Sequence, residues 1–492
     1  MSAHFEVFIC HRGTETKRNL VSVLNGMLGL KGITSFVDYE MTQGTEIKSA
    51  IEDAIKISSV HIVILSPDFE NSKWCLDEVV QIMTMQSSAG TSRRARKVIP
   101  IFCDVERSMV RERAVRSSYN VRGSSPEEWK LWGEAVESLC NFKGFEYHSK
   151  TSLQWEKLCE IVVEVENFLK EVDSRTSILP EQGQQRRSPT QYYDVFVCHG
   201  SDTKHNMVSV LRGMLHLEGI SCFNDHDMNH ETERKPLIQE AIKKSKVYVI
   251  FLSPEFATCK LCLEDVYQIM NTQNSPDTSN TACSLIPIFY DVKPSEVRYQ
   301  TKRYVLSRVS ESTDDERKRW SKSLKNLSLR KGFEFESETM FQWKELKKIV
   351  KRVKTCLKEP RRKNLYAKQL DEVEKVLESR ICKDLFLIGI HGPNKSQFVQ
   401  LLVERICNEF DGLSMRHNVI EKIREENGLS RVMGELFSDL IRISDEEPLK
   451  NHELIYGSRY RQILRTKKCL LVLFDVENEI HQMRQLVERL NT

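Results

Sequence analysis

The stretch Ser72 to Met83, SKWCLDEVVQIM, returns as Cys259 to Met270, CKLCLEDVYQIM, and nothing else constrains the chain as strongly. The same offset of 187 carries Phe36 onto Phe223, Pro67 onto Pro254 and Pro100 onto Pro287. Such self-similarity at a fixed spacing marks a duplicated domain. A chain of 492 residues is too long for one ordinary core. The reading is therefore a first domain over 1–170, a linker over 171–191, a second domain over 192–358 and a remainder over 359–492. Two differences inside the repeat matter chemically: Glu78 becomes Asp265, and Trp74 becomes Leu261.

Charge says little about partners. Seventy-three basic against seventy acidic residues leave a net charge of +3, too small to imply nucleic acid, a membrane surface or a polyanionic substrate. The opening MSAHFEVFICHRG has no basic segment followed by a long apolar run, so no secretory signal is read. The densest apolar run, Val247 to Leu252, is far short of a membrane span. A soluble, cytoplasmic protein is expected, with nuclear entry through Arg93–Lys97 or Arg361–Lys363 as the minority reading. In that compartment the fourteen cysteines are expected to be reduced and buried. Cys259 and Cys262 form a CxxC, but the first copy has Ser72 in place of Cys259, and packing is the preferred reading over redox chemistry.

Short apolar runs alternate with helical patterns through each copy. In the first, the strands are Phe5–Cys10, Ile33–Val37, Val60–Leu65 and Val98–Phe102. Between and after them come helices over Thr16 to Lys31, around Ile47, Ile51 and Ile55, over Ser72 to Met83, and around Trp129 to Cys140 and Trp155 to Lys170. Strands without polar alternation, separated by amphipathic helices, indicate a parallel sheet covered on both faces. In such sheets ligands sit beyond the carboxyl ends of the strands. Arg12-Gly13, the DYEMTQGTE loop and the SPDFENSKWCLDE segment emerge at such ends. Cys10 and His11 are rejected as a catalytic dyad, because neighbours on a strand point to opposite faces.

These residues resemble the plant Toll/interleukin-1 receptor (TIR) domain. The first copy carries HRGTETK (His11–Lys17), KGITSFVD (Lys31–Asp38), the glycine loop Gln43-Gly44, WCLDEV (Trp74–Val79) and VIPIF. The second carries YDVF, EGISCF, Cys262-Leu263 and FYDVKPSEVR (Phe289–Arg298). The resemblance implies two tandem flavodoxin-like domains, each a five-stranded parallel sheet of order 2-1-3-4-5. It further implies cleavage of NAD, as substrate, at the nicotinamide-ribose bond by an NAD nucleosidase or ADP-ribosyl cyclase-type hydrolase. Glu78 is then the essential acid, with Arg12, Gly13, Asp38, Gly44, Trp74 and Cys75 as the residues binding NAD. Trp74, at i−4, is expected to share a helix face with Glu78. No metal is expected.

Departures from the family pattern are specific. Gln43 stands where Arg or Lys is usual, the serine-histidine pair used in self-association reads Ser22-Val23, and Arg107 replaces a proline in DVERSMVR. In the second copy Arg12 has no counterpart and Gly44 is replaced by Glu231. With Asp265 holding its carboxylate about 1.5 Å further back, that copy is expected to be catalytically silent.

The remainder resembles the start of a nucleotide-binding (NB-ARC-like) domain, a partial P-loop NTPase-like α/β segment. It offers a strand at Leu385–Ile390, a loop and a late strand at Cys469–Val476. The loop reads GIHGPNKS, with Asn394 where a glycine is needed and Pro393 lacking an N–H. Lys395, Ser396 and Asp475 are the degenerate nucleotide-binding candidates, and ATP or ADP binding is not expected. The expected partners are other TIR domains, through self-association or association with TIR-type resistance receptors. The expected role is plant immune signalling, either as an NAD-cleaving enzyme or as a non-enzymatic adaptor or decoy.

Overall fold

The computed structural model describes residues 5–37, 47–87, 95–117, 119, 121–173, 193–223, 231–274 and 284–358, with short pieces at 372–373, 398–399, 402–403, 412–416, 432 and 469–473. Packing divides the chain into two compact units, residues 1–256 with 335–358 and residues 257–334 with 359–492.

The first copy lies wholly in the first unit. Strand β1 (Val7–His11) leads through α1 (Gly13–Thr16) and a π turn, Lys17–Val21, into α2 (Ser22–Leu30). The single helix expected from Thr16 is thus interrupted. Asn19 explains part of this, since its side-chain oxygen accepts from the Leu20 N–H at 2.5 Å and competes with the helical ladder. There follow β2 (Ser35–Phe36), α3 (Ile47–Ile57), β3 (Val60–Leu65), α4 (Lys73–Ser87) and β4 (Lys97–Cys103). Then come α5 (Arg107–Arg116), α6 (Pro126–Leu139), β5 (Phe145–Tyr147) and α7 (Gln154–Asp173).

The sheet order is β2-β1-β3-β4-β5, parallel throughout, the order the resemblance implies. Every residue of β1 and β3 is buried, because helices cover both faces. Helix α6 starts sharply. Ser125 and Glu128 form a reciprocal capping box, and Pro126 occupies the first turn, where its missing N–H is not needed. Trp132 on α6 is 1% exposed and packs in one apolar cluster with Cys75, Leu76 and Val79 of α4. Arg107, the departure from proline, lays its guanidinium over the Phe102 ring at 4.8 Å.

The second copy repeats the series with β6 (Val195–Cys198), α8 (Ser201–Thr203), a π turn at Lys204–Val208, α9 (Ser209–Leu217), α10 (Glu231–Lys244) and β7 (Val247–Leu252). It continues with α11 (Lys260–Asn274), β8 (Ser284–Tyr290), α12 (Pro294–Tyr299), α13 (Asp314–Ser328), β9 (Phe333–Phe335) and α14 (Gln342–Lys358). Its strands β6 and β7 pair in parallel, and a parallel bridge, Val195 to Cys222, stands where the first copy has β2.

Within the first unit the two copies meet reciprocally. The Trp343 ring of α14 lies over Gly26 of α2, where an added Cβ would come within 2.1 Å of it. Trp155 of α7 lies over Gly213 of α9 in the same way, at 2.0 Å. Ser22 Oγ accepts from the Trp343 N–H at 3.3 Å, and Ser209 Oγ from the Trp155 N–H at 3.0 Å. Between them the buried Gln342 amide donates to Gln154 Oε1 at 3.1 Å. Each copy therefore offers the same serine, glycine and tryptophan to the other, the pattern of an isologous contact. Ser22, the remnant of the serine-histidine pair, is used inside the chain.

Beyond 358, β10 (Gly412–Arg416) and β11 (Cys469–Leu473) pair in parallel. The expected late strand coincides with β11; β10 was not expected. The strand expected at Leu385–Ile390 and the loop after it lie outside the described residues, as do Lys395, Ser396 and Asp475. Among the described residues, no helix is long and apolar enough to cross a membrane.

Candidate functional site

The site is built where β1 ends against the first turn of α4. The Cys75 thiol donates to the His11 carbonyl at 3.5 Å, and the Cys10 thiol donates to the Cys75 carbonyl at 3.8 Å. Thr16 Oγ1 donates to the Arg12 carbonyl at 3.1 Å and sits 3.4 Å from His11 Nδ1. These ties fix the start of α4 on the end of the sheet. Glu78, one turn on from Cys75, is half-buried and lines a small cleft with Phe8, Ile9, His11, Phe36 and Ile51.

A half-buried carboxylate at this place has visible electrostatic consequences. Burial, then the hydrogen bond to Cys75, then the charge of Glu78 push the Cys10 thiol well above its usual range. Cys10 is therefore held as a neutral thiol. Cys75 moves the other way, because the hydrogen bond from Cys10 outweighs burial, and Ser72 and the Arg12 charge assist. Arg12 is half-buried in extended conformation, and its Nε is shielded from solvent without a hydrogen-bond partner among the described residues. A guanidinium so placed has donor capacity to spare for a polar ligand.

Glu78 and Arg12 both act on the Cys75 thiol, and of the candidates among the described residues only Glu78 lines the cleft. Trp74 is 61% exposed and is not among the residues lining the cleft. Gly13 opens α1, and a Cβ there would meet nothing closer than Lys17 Cδ at 4.0 Å, so packing does not demand glycine. Asp38 and Gly44 lie outside the described residues. The apolar walls, Phe8, Phe36 and Ile51, are read from sequence as strand and helix residues but not as part of a site.

The neighbouring carboxylates of the repeat have separate tasks. Asp77 accepts from Trp132 Nε1 at 2.8 Å and staples α4 to α6. Its counterpart Glu264 accepts from Trp320 Nε1 at 3.1 Å and from Arg319 at 2.9 Å, so it is committed to α13. At the end of β6, Asp202 accepts from Ser253 Oγ at 2.6 Å and from the Glu255 N–H at 3.3 Å, and burial raises its pKa. Among the described residues, no group of three or more His, Cys, Asp or Glu is placed to hold a metal ion.

Comparison with known proteins gives this geometry a family. The TIR domain model matches residues 4–185 and again 192–379. Disease resistance protein RUN1 of Vitis rotundifolia is 27% identical over 301 residues, 58% of this chain and 22% of that protein. Disease resistance-like protein DSC1 of Arabidopsis thaliana is 32% identical over 172 residues, 33% of this chain and 14% of that protein. The chain thus spans less than a quarter of the length of either relative. Among solved structures, the TIR domains of the activated Roq1 resistosome align at 26% identity over 33% of this chain and 99% of that one, with a TM-score of 0.28. With two matches that together span most of its length, the chain belongs to the TIR domain family, in a tandem form of the plant disease-resistance type.

Proposed function

We propose that the chain acts in plant immune signalling and that its first copy, when self-associated, cleaves NAD at the nicotinamide-ribose bond. The observation that carries the reading is Glu78, a carboxylate set into a small cleft at the carboxyl end of β1. Nicotinamide leaves NAD as a neutral ring, taking the bonding electrons with it. Positive charge then moves onto the ribose, which becomes oxocarbenium-like until water attacks. A carboxylate beside that sugar stabilises the developing charge and orients the ribose hydroxyls, and apolar walls strengthen its effect. Arg12 supplies a donor for the ribose or phosphates.

As it stands the cleft is far too small to enclose a dinucleotide, with room for about one water. The reading therefore requires a site opened or completed by a neighbouring TIR domain. The second copy is assigned no turnover, since Asp265 replaces the glutamate and Glu264 is engaged elsewhere. The exposure of Trp74, outside the cleft, favours a second reading, a non-enzymatic adaptor that docks on TIR-type receptors.

Incubating the full-length chain with NAD over a range of protein concentrations, with nicotinamide followed by chromatography, separates the two. The expected result is release per mole of protein that climbs with concentration. An absence of release even at the highest concentration rejects the enzymatic reading and leaves the adaptor.

A further inference from the structure

The second copy carries chemistry that the first lacks. Cys259 immediately precedes α11, and its carbonyl accepts the first helical bond, from Leu263 N–H at 3.1 Å. It is the residue that caps the helix. In the first copy Ser72 holds this position, and its Oγ accepts from the Cys75 N–H at 3.4 Å. In the second, Cys259 Sγ accepts from the Cys262 N–H at 3.3 Å in the same arrangement. A serine cap has become a sulfur cap, and the thiol three residues on now faces it.

The two sulfurs stand 2.6 Å apart, against about 2.05 Å in a formed disulfide. Residues i and i+3 at a helix start share a face, so no backbone movement is needed to bring them together. Cys259 is half-buried and reachable from solvent, whereas Cys262 is 5% exposed. Neither cysteine is in a disulfide in this structure.

We propose that Cys259 and Cys262 form a reversible dithiol–disulfide site whose oxidant is a low-molecular-weight disulfide such as oxidised glutathione. The Cys259 thiolate, the attacking form of a thiol, displaces one glutathione thiolate and forms a mixed disulfide. Cys262 loses its proton and attacks Cys259 sulfur, the mixed disulfide breaks, and the second glutathione leaves as thiolate. Two protein thiols are oxidised by two electrons, and one disulfide is reduced to two thiols. The accessible sulfur thus starts the exchange and the buried one completes it.

Full-length protein equilibrated in glutathione buffers from reducing to oxidising, alkylated with N-ethylmaleimide, denatured and digested with trypsin tests this directly. Trypsin cuts after Lys260, placing Cys259 and Cys262 on separate peptides that only a disulfide joins. The joined pair is expected to rise from absent to dominant in a single transition as the buffer becomes oxidising, with tandem mass spectra placing the link at Cys262 rather than Cys283. Cys259→Ser, which restores the first copy's residue and its cap, is expected to remove the joined pair while the helical circular dichroism stays unchanged. Recovery of both peptides separately alkylated in every buffer overturns the proposal. So does a link from Cys259 to any other cysteine.

Discussion

Glu78→Gln in the full-length chain is expected to lower nicotinamide release from NAD by at least about a hundredfold, the scale of losing one preorganised charge at a developing transition state. Glutamine keeps the length and shape of the side chain and removes only the negative charge. Glu78 is half-buried on a cleft wall and not part of the apolar cluster beneath α4, so the fold should tolerate the change. The Cys10 thiol loses one of the influences that raise its pKa, yet burial, the largest cause, remains and keeps it protonated at neutral pH. Initial rates and a thermal melt on the same preparation check both halves. An unchanged rate with an unchanged melt would remove Glu78 from the chemistry.

Trp132→Ala is the second large effect, at about 3–5 kcal/mol of stability for a fully buried tryptophan. Its indole N–H donates to Asp77, the Tyr119 ring meets it edge-on at 6.0 Å between centroids, and Lys73 Nζ lies 5.9 Å from its ring centre. Both Asp77 and Lys73 sit in the turn of α4 that precedes Glu78. Loss of the ring therefore loosens the helix that aims the carboxylate, and nicotinamide release should fall with stability. Trp132→Phe keeps most of the packing and removes the hydrogen bond, worth about 1 kcal/mol. Urea unfolding of the two variants should place phenylalanine much nearer wild type than alanine. Equal midpoints for both would mean that packing at Trp132 does not secure α4.

Much of this architecture is legible in the residues. Strands β1, β3 and β4 read as unbroken apolar runs because both faces of the sheet are covered, and the order β2-β1-β3-β4-β5 is the one the TIR motifs imply. Helix α5 escaped because only Val110 and Ala114 are buried among charged neighbours, a stripe too narrow for periodicity to register. Strand β5, three residues long, is below the length at which alternation carries information. The π turn between α1 and α2 depends on a local side-chain bond from Asn19, which the apolar spacing does not encode.

The candidate site was legible in part. Sequence comparison separated Glu78 from Asp77 by motif, and the structure adds the physical difference, one carboxylate facing a cleft and the other fastened to Trp132. Helical spacing placed Trp74 on the face of Glu78, yet the indole is mostly exposed and does not line the cleft. The CxxC of the second copy read as packing because Ser72 occupies the matching position. Only the placement of the sulfurs at the helix cap distinguishes a buried cysteine from a poised pair.

The most direct measurement compares nicotinamide release from NAD by full-length wild type, Glu78→Gln and Asp265→Asn at one high protein concentration. Wild type and Asp265→Asn should release nicotinamide equally, and Glu78→Gln should release almost none. Release that survives Glu78→Gln but is lost in Asp265→Asn, or no release from wild type, would contradict a first copy that works beside a silent second.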